Sequence, residues 1–194
     1  MRALGTGRLI LVNAQHPLSG YAWTPELVPV HSPASPVLLE REAAFHLDRL
    51  MEELDGWRSI TPVSGWRSGE EQRRIYADSL RDNGAAFTRR YVALPGRSEH
   101  QTGLAIDLGL TGPDLDFIRP DFPYTGICQE FRRRAADHGF IERYPAGREA
   151  VTGIAHEPWH FRYVGAPHAR AMADGGLTLE EYLEEGSTCV CGKP

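Results

Sequence analysis

No stretch of this 194-residue chain approaches the roughly 18 consecutive apolar residues that a membrane helix needs. The first residues, MRALGTGRLILVNAQHPLSG, hold only the short apolar run LILV, where a secretory signal takes about 7–15 apolar residues. These absences make the cytoplasm the expected compartment, with no membrane insertion. Three cysteines cannot form a disulfide framework, and Cys189 and Cys191 sit in the terminal CVCGKP. That segment reads as a frayed tail with two ordinary thiols rather than a redox or metal hook, because chain ends are commonly poorly ordered. A strong charge of one sign is also missing: a net charge of -5, with acids and bases interspersed, argues against nucleic acid as a partner. Repeats, low-complexity tracts and linkers are absent too, so a second domain has nowhere to begin. One domain over residues 1–186 is expected, with 1–37 as an extended N-terminal segment and 187–194 as a flexible tail.

What is present suits a globular chain with a core, 41% apolar and 24% charged residues. Pro17, Pro25, Pro29, Pro33 and Pro36 keep residues 13–37 extended, since each removes a donor and biases its predecessor away from helix. Leu39, Ala43, Leu47, Leu50 and Leu54 recur at spacings of three or four. That spacing predicts an amphipathic helix from about Pro36 to Leu54, stopped at Gly56. RSITPVSGW reads as a short strand. Ser68 with Glu71 forms a capping box and Gly84 a C-cap, so a helix is expected between them and a loop over 85–99. GLAIDLGL alternates, with Leu104, Ile106 and Leu108 on one face and Ala105, Asp107 and Gly109 on the other. A carboxylate between two tiny residues leaves open space above it. Residues 112–125 read as a loop, ICQEFRRRAADHGF as a helix ending at Gly139, and Thr178 with Glu181 as the cap of a last short helix. Helices and strands alternate irregularly, without the glycine-rich turns of a doubly wound fold, so the expected class is α+β.

Near the C-terminal end, GIAHEPWHFRYVG contains H-E-x-x-H at His156, Glu157 and His160, the pattern with which zinc peptidases hold two ligands on one helix. Pro158 stands inside the turn that such a helix requires, at a cost of about 3 kcal/mol or more. The adjoining residues WHFRYV are rich in aromatics and have period two, Trp159, Phe161 and Tyr163 opposing His160 and Arg162. A proline at the mouth of a strand costs little. The strand reading wins, and His156 and His160 lose their shared helical face.

Glu157 and His160 then need other partners, and GRSEHQTGLAIDLG supplies candidates. His100 lies seven residues before Asp107, with Gly103 allowing a turn between them. A catalytic zinc takes three protein ligands and leaves one position open for water. His100, Asp107 and His160 would give two imidazoles and one carboxylate from two neighbouring strands, with Glu157 free to act as a base. Residue types and spacing alone leave this open against two core histidines and a salt-bridged aspartate.

Three longer blocks carry a resemblance. SEHQTGLAIDLG matches S-x-H-x-x-G-x-A-x-D and EPWHFRYVG matches E-x-W-H, two motifs of the zinc-dependent D-Ala-D-Ala carboxypeptidases. VSGWRSGEEQRRIY is similar to the third block of that family, and the blocks fall in the family's order across residues 60–165. The run YVALPGRSEHQTGLAIDLGL and the N-terminal NAQHPL resemble most the VanXY-type D,D-dipeptidase/D,D-carboxypeptidases, cytoplasmic enzymes associated with vancomycin resistance. The resemblance implies a single α+β domain in which a small antiparallel sheet, flanked by helices, carries the zinc site, as in hedgehog-type domains. It implies Zn2+ held by His100, Asp107 and His160, with Glu157 as general base and then acid. Arg67 becomes the cation on the oxyanion, permanent charge where negative charge develops. Ser98 and Gln72 become contacts to the substrate's terminal carboxylate or peptide backbone. The implied partners are small peptides ending in D-Ala-D-Ala.

The remaining histidines are expected to stand aside: His156 as a neighbour of the base, and His16, His31, His46, His138 and His168 on the surface or in loops. Trp66, Trp159 and Tyr163 are candidates for the pocket wall. No S-x-x-K set for serine acylation is present, which favours direct attack by water. An L,D-carboxypeptidase acting on tetrapeptides would share the implied zinc site. A non-catalytic zinc-binding recognition module is the rival from another class. Glu157 and Arg67 together argue against the module, since a structural metal needs neither.

Overall fold

Leu27–Pro29 (β1) and Leu38–Glu40 (β2) pair antiparallel as a short ribbon in the computed structural model, which describes residues 5–20, 22–33, 37–113 and 115–189. The helix expected from about Pro36 begins only at Arg41, because residues 37–40 are committed to pairing: Val30 N bonds to Val37 O, and Val28 faces Leu39. Glu40 caps α1 (Arg41–Leu54), its carboxylate accepting from the Glu42 and Ala43 amides at 3.1 and 3.2 Å. Asp55, at φ 50°, takes the left-handed position after α1 that was expected of Gly56. Gly56 is needed for space instead, since a Cβ there would lie 2.7 Å from Met51 Sδ.

β3 (Ile60–Ser64) leads into α2 (Gly69–Tyr91), opened by Ser68, whose Oγ accepts from the Glu71 amide at 3.1 Å. Gly84 interrupts this helix at φ 79° and ψ 166°, a conformation essentially reserved for glycine. The loop expected over 85–99 is shorter, because helix resumes after the kink and runs to Tyr91. Thr88 joins the two segments: it is buried, donates to Gly84 O at 3.0 Å and meets Ser79 Oγ at 2.8 Å.

β4 (Ala105–Leu110), α3 (Gly126–Ala135), β5 (Phe140–Tyr144), the one-turn α4 (Glu149–Thr152) and β6 (Glu157–Tyr163) follow. The central sheet runs β3-β4-β6-β5 with every neighbouring pair antiparallel, so the molecule is a single α+β domain around a small sheet. β5 lacks the apolar–polar alternation that marks β4 and β6, although all three strands are largely buried on both faces. After α5 (Ala166–Gly175), α6 (Leu179–Cys189) opens on the expected pair, Thr178 N and Oγ1 donating to Glu181 Oε2 at 2.8 and 2.9 Å. This helix enters the stretch expected as a tail and reaches Cys189. Cys191 and the rest of 190–194 lie outside the described residues.

The sheet separates an apolar face from a polar one. Ile106 and Leu108 of β4 and Phe161 of β6 pack with Leu47 and Leu50 of α1 and Phe131 of α3. Phe161 meets Phe122 and Phe131 edge-on, with ring centroids 5.4 and 4.9 Å away. Burying each such ring contributes about 1.5–3 kcal/mol, which fastens these helices to one side of the sheet. The alternate residues Asp107, His160 and Arg162 are buried as well, and on their side they need polar partners. A smaller apolar cluster, including Leu11, Ile141, Val164, Met172 and Leu179, ties α5 and α6 to β5. Among the described residues no helix is long and apolar enough to cross a membrane.

Candidate metal centre

Asp107 and His160 sit opposite each other in the β4–β6 register, which places Asp107 Oδ1 2.9 Å from His160 Nδ1. His100 comes from a tight 3-10 turn, Glu99–Thr102, and not from a strand as expected. Gly103, at φ 73°, turns the chain from there into β4. His100 Nε2 lies 3.1 Å from Asp107 Oδ2, and the His100 and His160 rings meet edge-on with centroids 5.0 Å apart. One ligand atom from each of these three buried residues lies within 4.8 Å of the other two.

The tautomer of His100 follows from its neighbour. Its Nδ1 is 2.7 Å from the Gly65 carbonyl, which only accepts, so Nδ1 carries the proton and Nε2 presents a lone pair inward. Two imidazoles and a carboxylate beside an open cavity make the three-ligand pattern of a catalytic metal site. Burial opposes the charge on Asp107, yet His100 and His160 hold its carboxyl well below the usual range. Burial likewise opposes protonation of His160, but Asp107 and Glu99 prevail and raise it to about 9. A metal ion held by these three residues would take the place of that proton.

Glu157 opens β6 and His160 follows three residues later, a spacing that ordinarily puts two side chains on opposite faces of a strand. Here β6 carries a bulge: Glu142 pairs with Phe161 and Tyr144 with Glu157, two steps along β5 against four along β6. The bulge re-aims Glu157 to the side of His160, its Oε2 3.9 Å from His160 Nδ1. Pro158 lies inside the bulge, where a missing N–H is tolerated, and its carbonyl accepts from Arg132 Nη2 at 2.7 Å. Burial pushes the Glu157 carboxyl up to about 8, with His160 and Arg67 pulling it down and Asp107 and Glu99 adding to the rise. A carboxyl poised near neutrality can both take and return a proton.

Arg67, between β3 and α2, donates to Asp107 Oδ2 at 3.0 Å and to Ser64 Oγ at 2.8 Å. Gln72 is 1% exposed, which sets aside a surface role. Its Oε1 faces Arg67 Nη1 at 3.5 Å and its Nε2 donates to Ala93 O at 2.9 Å, so both ends of the amide are engaged within the protein. Ser98 is buried and lines the cavity without capping the turn it precedes. The structure thus gathers all seven expected residues around a cavity of about 270 Å³. That is at or below the small end of ordinary ligand pockets, roughly 300–1,000 Å³, and suits a substrate of small side chains. Trp159 joins its wall, whereas Trp66 and Tyr163 do not, Tyr163 stacking instead on His46 at 5.5 Å. His156 turns away, its Nε2 2.7 Å from the Tyr124 hydroxyl, so H-E-x-x-H does not act as a unit.

Two residues of the centre escaped the pattern reading. Tyr144 packs against the His160 ring, centroids 4.8 Å apart. Glu99, 2% exposed, lies 3.6 Å from His160 Nε2 and pairs with Arg143 and Arg162. A signal was there in FIERY and WHFRYV, because an arginine inside a buried strand requires an acidic partner.

The family model for VanY, D-alanyl-D-alanine carboxypeptidase, matches residues 37–166, a span that holds every residue of the cluster and its cavity. The chain is 43% identical over 175 residues to the bifunctional D-Ala-D-Ala dipeptidase and D-Ala-D-Ala carboxypeptidase VanXYC of Enterococcus gallinarum, covering 90% of this chain and 92% of that one. It superposes with a TM-score of 0.88 on the vancomycin resistance D,D-dipeptidase VanXYg in complex with a D-Ala-D-Ala phosphinate analogue. That alignment has 56% identity and covers 92% of this chain and 70% of that chain. A point mutant of the vancomycin resistance D,D-pentapeptidase VanY from a VanB-type resistance cassette, in complex with Zn(II), aligns with a TM-score of 0.73 and 30% identity. Its alignment covers 91% of this chain and 98% of that chain. Sequence, fold and the matched span agree, and the chain belongs to the VanY family of D-alanyl-D-alanine carboxypeptidases.

Proposed function

We propose that this chain is a zinc D,D-peptidase, hydrolysing the bond between two terminal D-alanines in the free dipeptide and in peptidoglycan pentapeptide precursors. The observation that carries this reading is one juxtaposition. A buried carboxyl, Glu157, stands beside the His100–Asp107–His160 cluster, with the Arg67 guanidinium 3.0 Å from the same aspartate. Support for the substrate comes from the names of VanXYC and VanXYg, and support for zinc from the VanY complex with Zn(II).

When bound by these three residues, zinc supplies Lewis acidity and lowers the pKa of water towards about 7. Glu157 takes the proton of the attacking water and afterwards returns it to the amine of the departing D-alanine. Arg67, its guanidinium oriented by Ser64 and Gln72, stabilises the oxyanion as the carbonyl is attacked. Ser98 offers its hydroxyl to the substrate's terminal carboxylate. Gln72, whose amide is already engaged, serves by holding Arg67 rather than by touching substrate. Ile75, Tyr91 and Trp159 wall the cavity against water. The reading includes action in the cytoplasm, on precursors that would otherwise present D-Ala-D-Ala to vancomycin.

The test is D-Ala release from D-Ala-D-Ala, pentapeptide and tetrapeptide, with and without a chelator. Release from dipeptide or pentapeptide that a chelator abolishes and zinc restores is the expected result. Release from tetrapeptide alone would make the chain an L,D-carboxypeptidase, and bound zinc without hydrolysis would make it a recognition module.

A further inference from the structure

Beside the cluster, and reaching the cavity wall only at Glu99, four buried charges form a network that the proposed reaction does not use. Glu99, Arg143, Arg162 and Glu180 are 2%, 0%, 0% and 7% exposed. Glu99 Oε1 lies 2.8 Å from both Arg143 Nε and Arg162 Nη1. Arg143 is gripped from its other end by Glu180 of α6, through Nη1 at 2.8 Å and Nη2 at 2.7 Å. Arg162 Nη2 donates to the carbonyls of Arg8 and Ile10, both at 2.9 Å. One oxygen of Glu99 therefore accepts from Arg143 and lies in ion-pair contact with Arg162, two guanidinium groups that are themselves held elsewhere.

The other oxygen points elsewhere. Glu99 Oε2 is shielded from solvent and has no hydrogen-bond partner among the described residues, and the same holds for His160 Nε2. The two atoms face each other at 3.6 Å. That is about half an ångström beyond the usual hydrogen-bond range, and buried polar atoms are rarely left alone. Each is the partner that the other lacks.

We infer that Glu99 is the positioning residue for His160: its carboxylate, clamped by Arg143 and Arg162, keeps the imidazole proton on Nε2 and turns Nδ1 toward the metal. The inference rests on the proposed ligand role of His160. It gives the two histidines separate outer partners, the Gly65 carbonyl for His100 and the Glu99 carboxylate for His160. It also makes α6 part of the metal centre through Glu180 and Arg143, although no described residue of α6 lines the cavity.

Glu99→Gln is the decisive substitution. Both arginines only donate, so the amide oxygen stays with them and the amide NH2 faces His160 Nε2. A donor there favours the imidazole protonated on Nδ1, which cannot ligate through that atom. Zinc affinity, measured by competition with a chromophoric chelator, is expected to fall about 10–100-fold, with the circular dichroism spectrum unchanged. Wild-type affinity in the folded variant overturns the inference alone, whereas a wild-type protein that binds no zinc removes the proposed function and this inference with it. Should the variant fail to fold, histidine 15N NMR of the zinc-loaded wild-type protein decides. Ligation of His160 through Nδ1, with a slowly exchanging Nε2 proton, is expected, and ligation through Nε2 overturns it.

Discussion

Glu157 and His160 address one cavity from a single strand, with Glu157 Oε2 3.9 Å from His160 Nδ1, where a bulge interrupts the register of β6 with β5. This places a proton acceptor beside the ligand cluster without making it a ligand. Glu157→Gln keeps the size of the side chain and removes its basicity. We expect stoichiometric zinc with D-Ala release lowered about 10²–10⁴-fold. Normal turnover in that variant would take the role of base away from Glu157.

The two histidines of H-E-x-x-H part company in the structure, and so should their variants. His160→Ala and His100→Ala are expected to lose zinc and activity together. His156→Ala, which disturbs only a contact to Tyr124 and Glu142, should keep its metal. Metal analysis of the purified proteins checks both, and stoichiometric zinc in His100→Ala would strike it from the ligand set.

Arg67 already pairs with Asp107, and under the proposed mechanism the further negative charge it faces, the oxyanion, develops only in the transition state. Arg67→Ala is expected to lower kcat by about 10²–10³-fold while KM moves less. Arg67→Lys should not restore the rate, because contacts to Ser64 and Asp107 use different arms of the guanidinium fork. Steady-state kinetics on the dipeptide decide, and an unchanged kcat would refute the role.

Metal removal should be visible in stability as well as in turnover. An ion that binds only the folded chain, at a free concentration 100 times its Kd, stabilises it by about 2.7 kcal/mol. For a chain of this size that is on the order of 5–10 °C in Tm. Calorimetry of the chelated protein before and after zinc addition measures it, and a Tm indifferent to zinc would argue against the site.

At Gly84 no described atom lies within 4 Å of where a Cβ would stand, so Gly84→Ala meets strain and not collision. The expected cost is about 1–3 kcal/mol, from backbone conformation alone. Urea unfolding reads it directly, and wild-type stability would show that the kink relaxes freely.

How much of this was legible depends on how local the cause is. Pro158 alone excluded the zincin helix, and the alternation of β4 and β6 already set Asp107 and His160 apart from their apolar neighbours. The bulge was not legible, because nothing in EPWHF says which residues are surplus. That depends on the register with β5, whose own sequence FIERY shows no alternation to set it. Helix beyond Gly84 depends on Thr88 meeting Ser79, a contact made only once the kink exists. Glu99 hid for a similar reason, its partners arriving from β5 and β6, with Arg143 fixed in turn by α6.

A strand counts its residues by phase, odd and even, and the two surplus residues of β6 between Glu157 and Phe161 leave that count unchanged against β5. Losing one residue there would exchange the two faces of everything on one side of the cut. Phe161 would swing toward the ligands and His160 into the packed aromatic rings, or Glu157 would leave the cavity. Length changes at this point are therefore admissible only in pairs, a constraint on engineered and natural variants that no single side chain reveals.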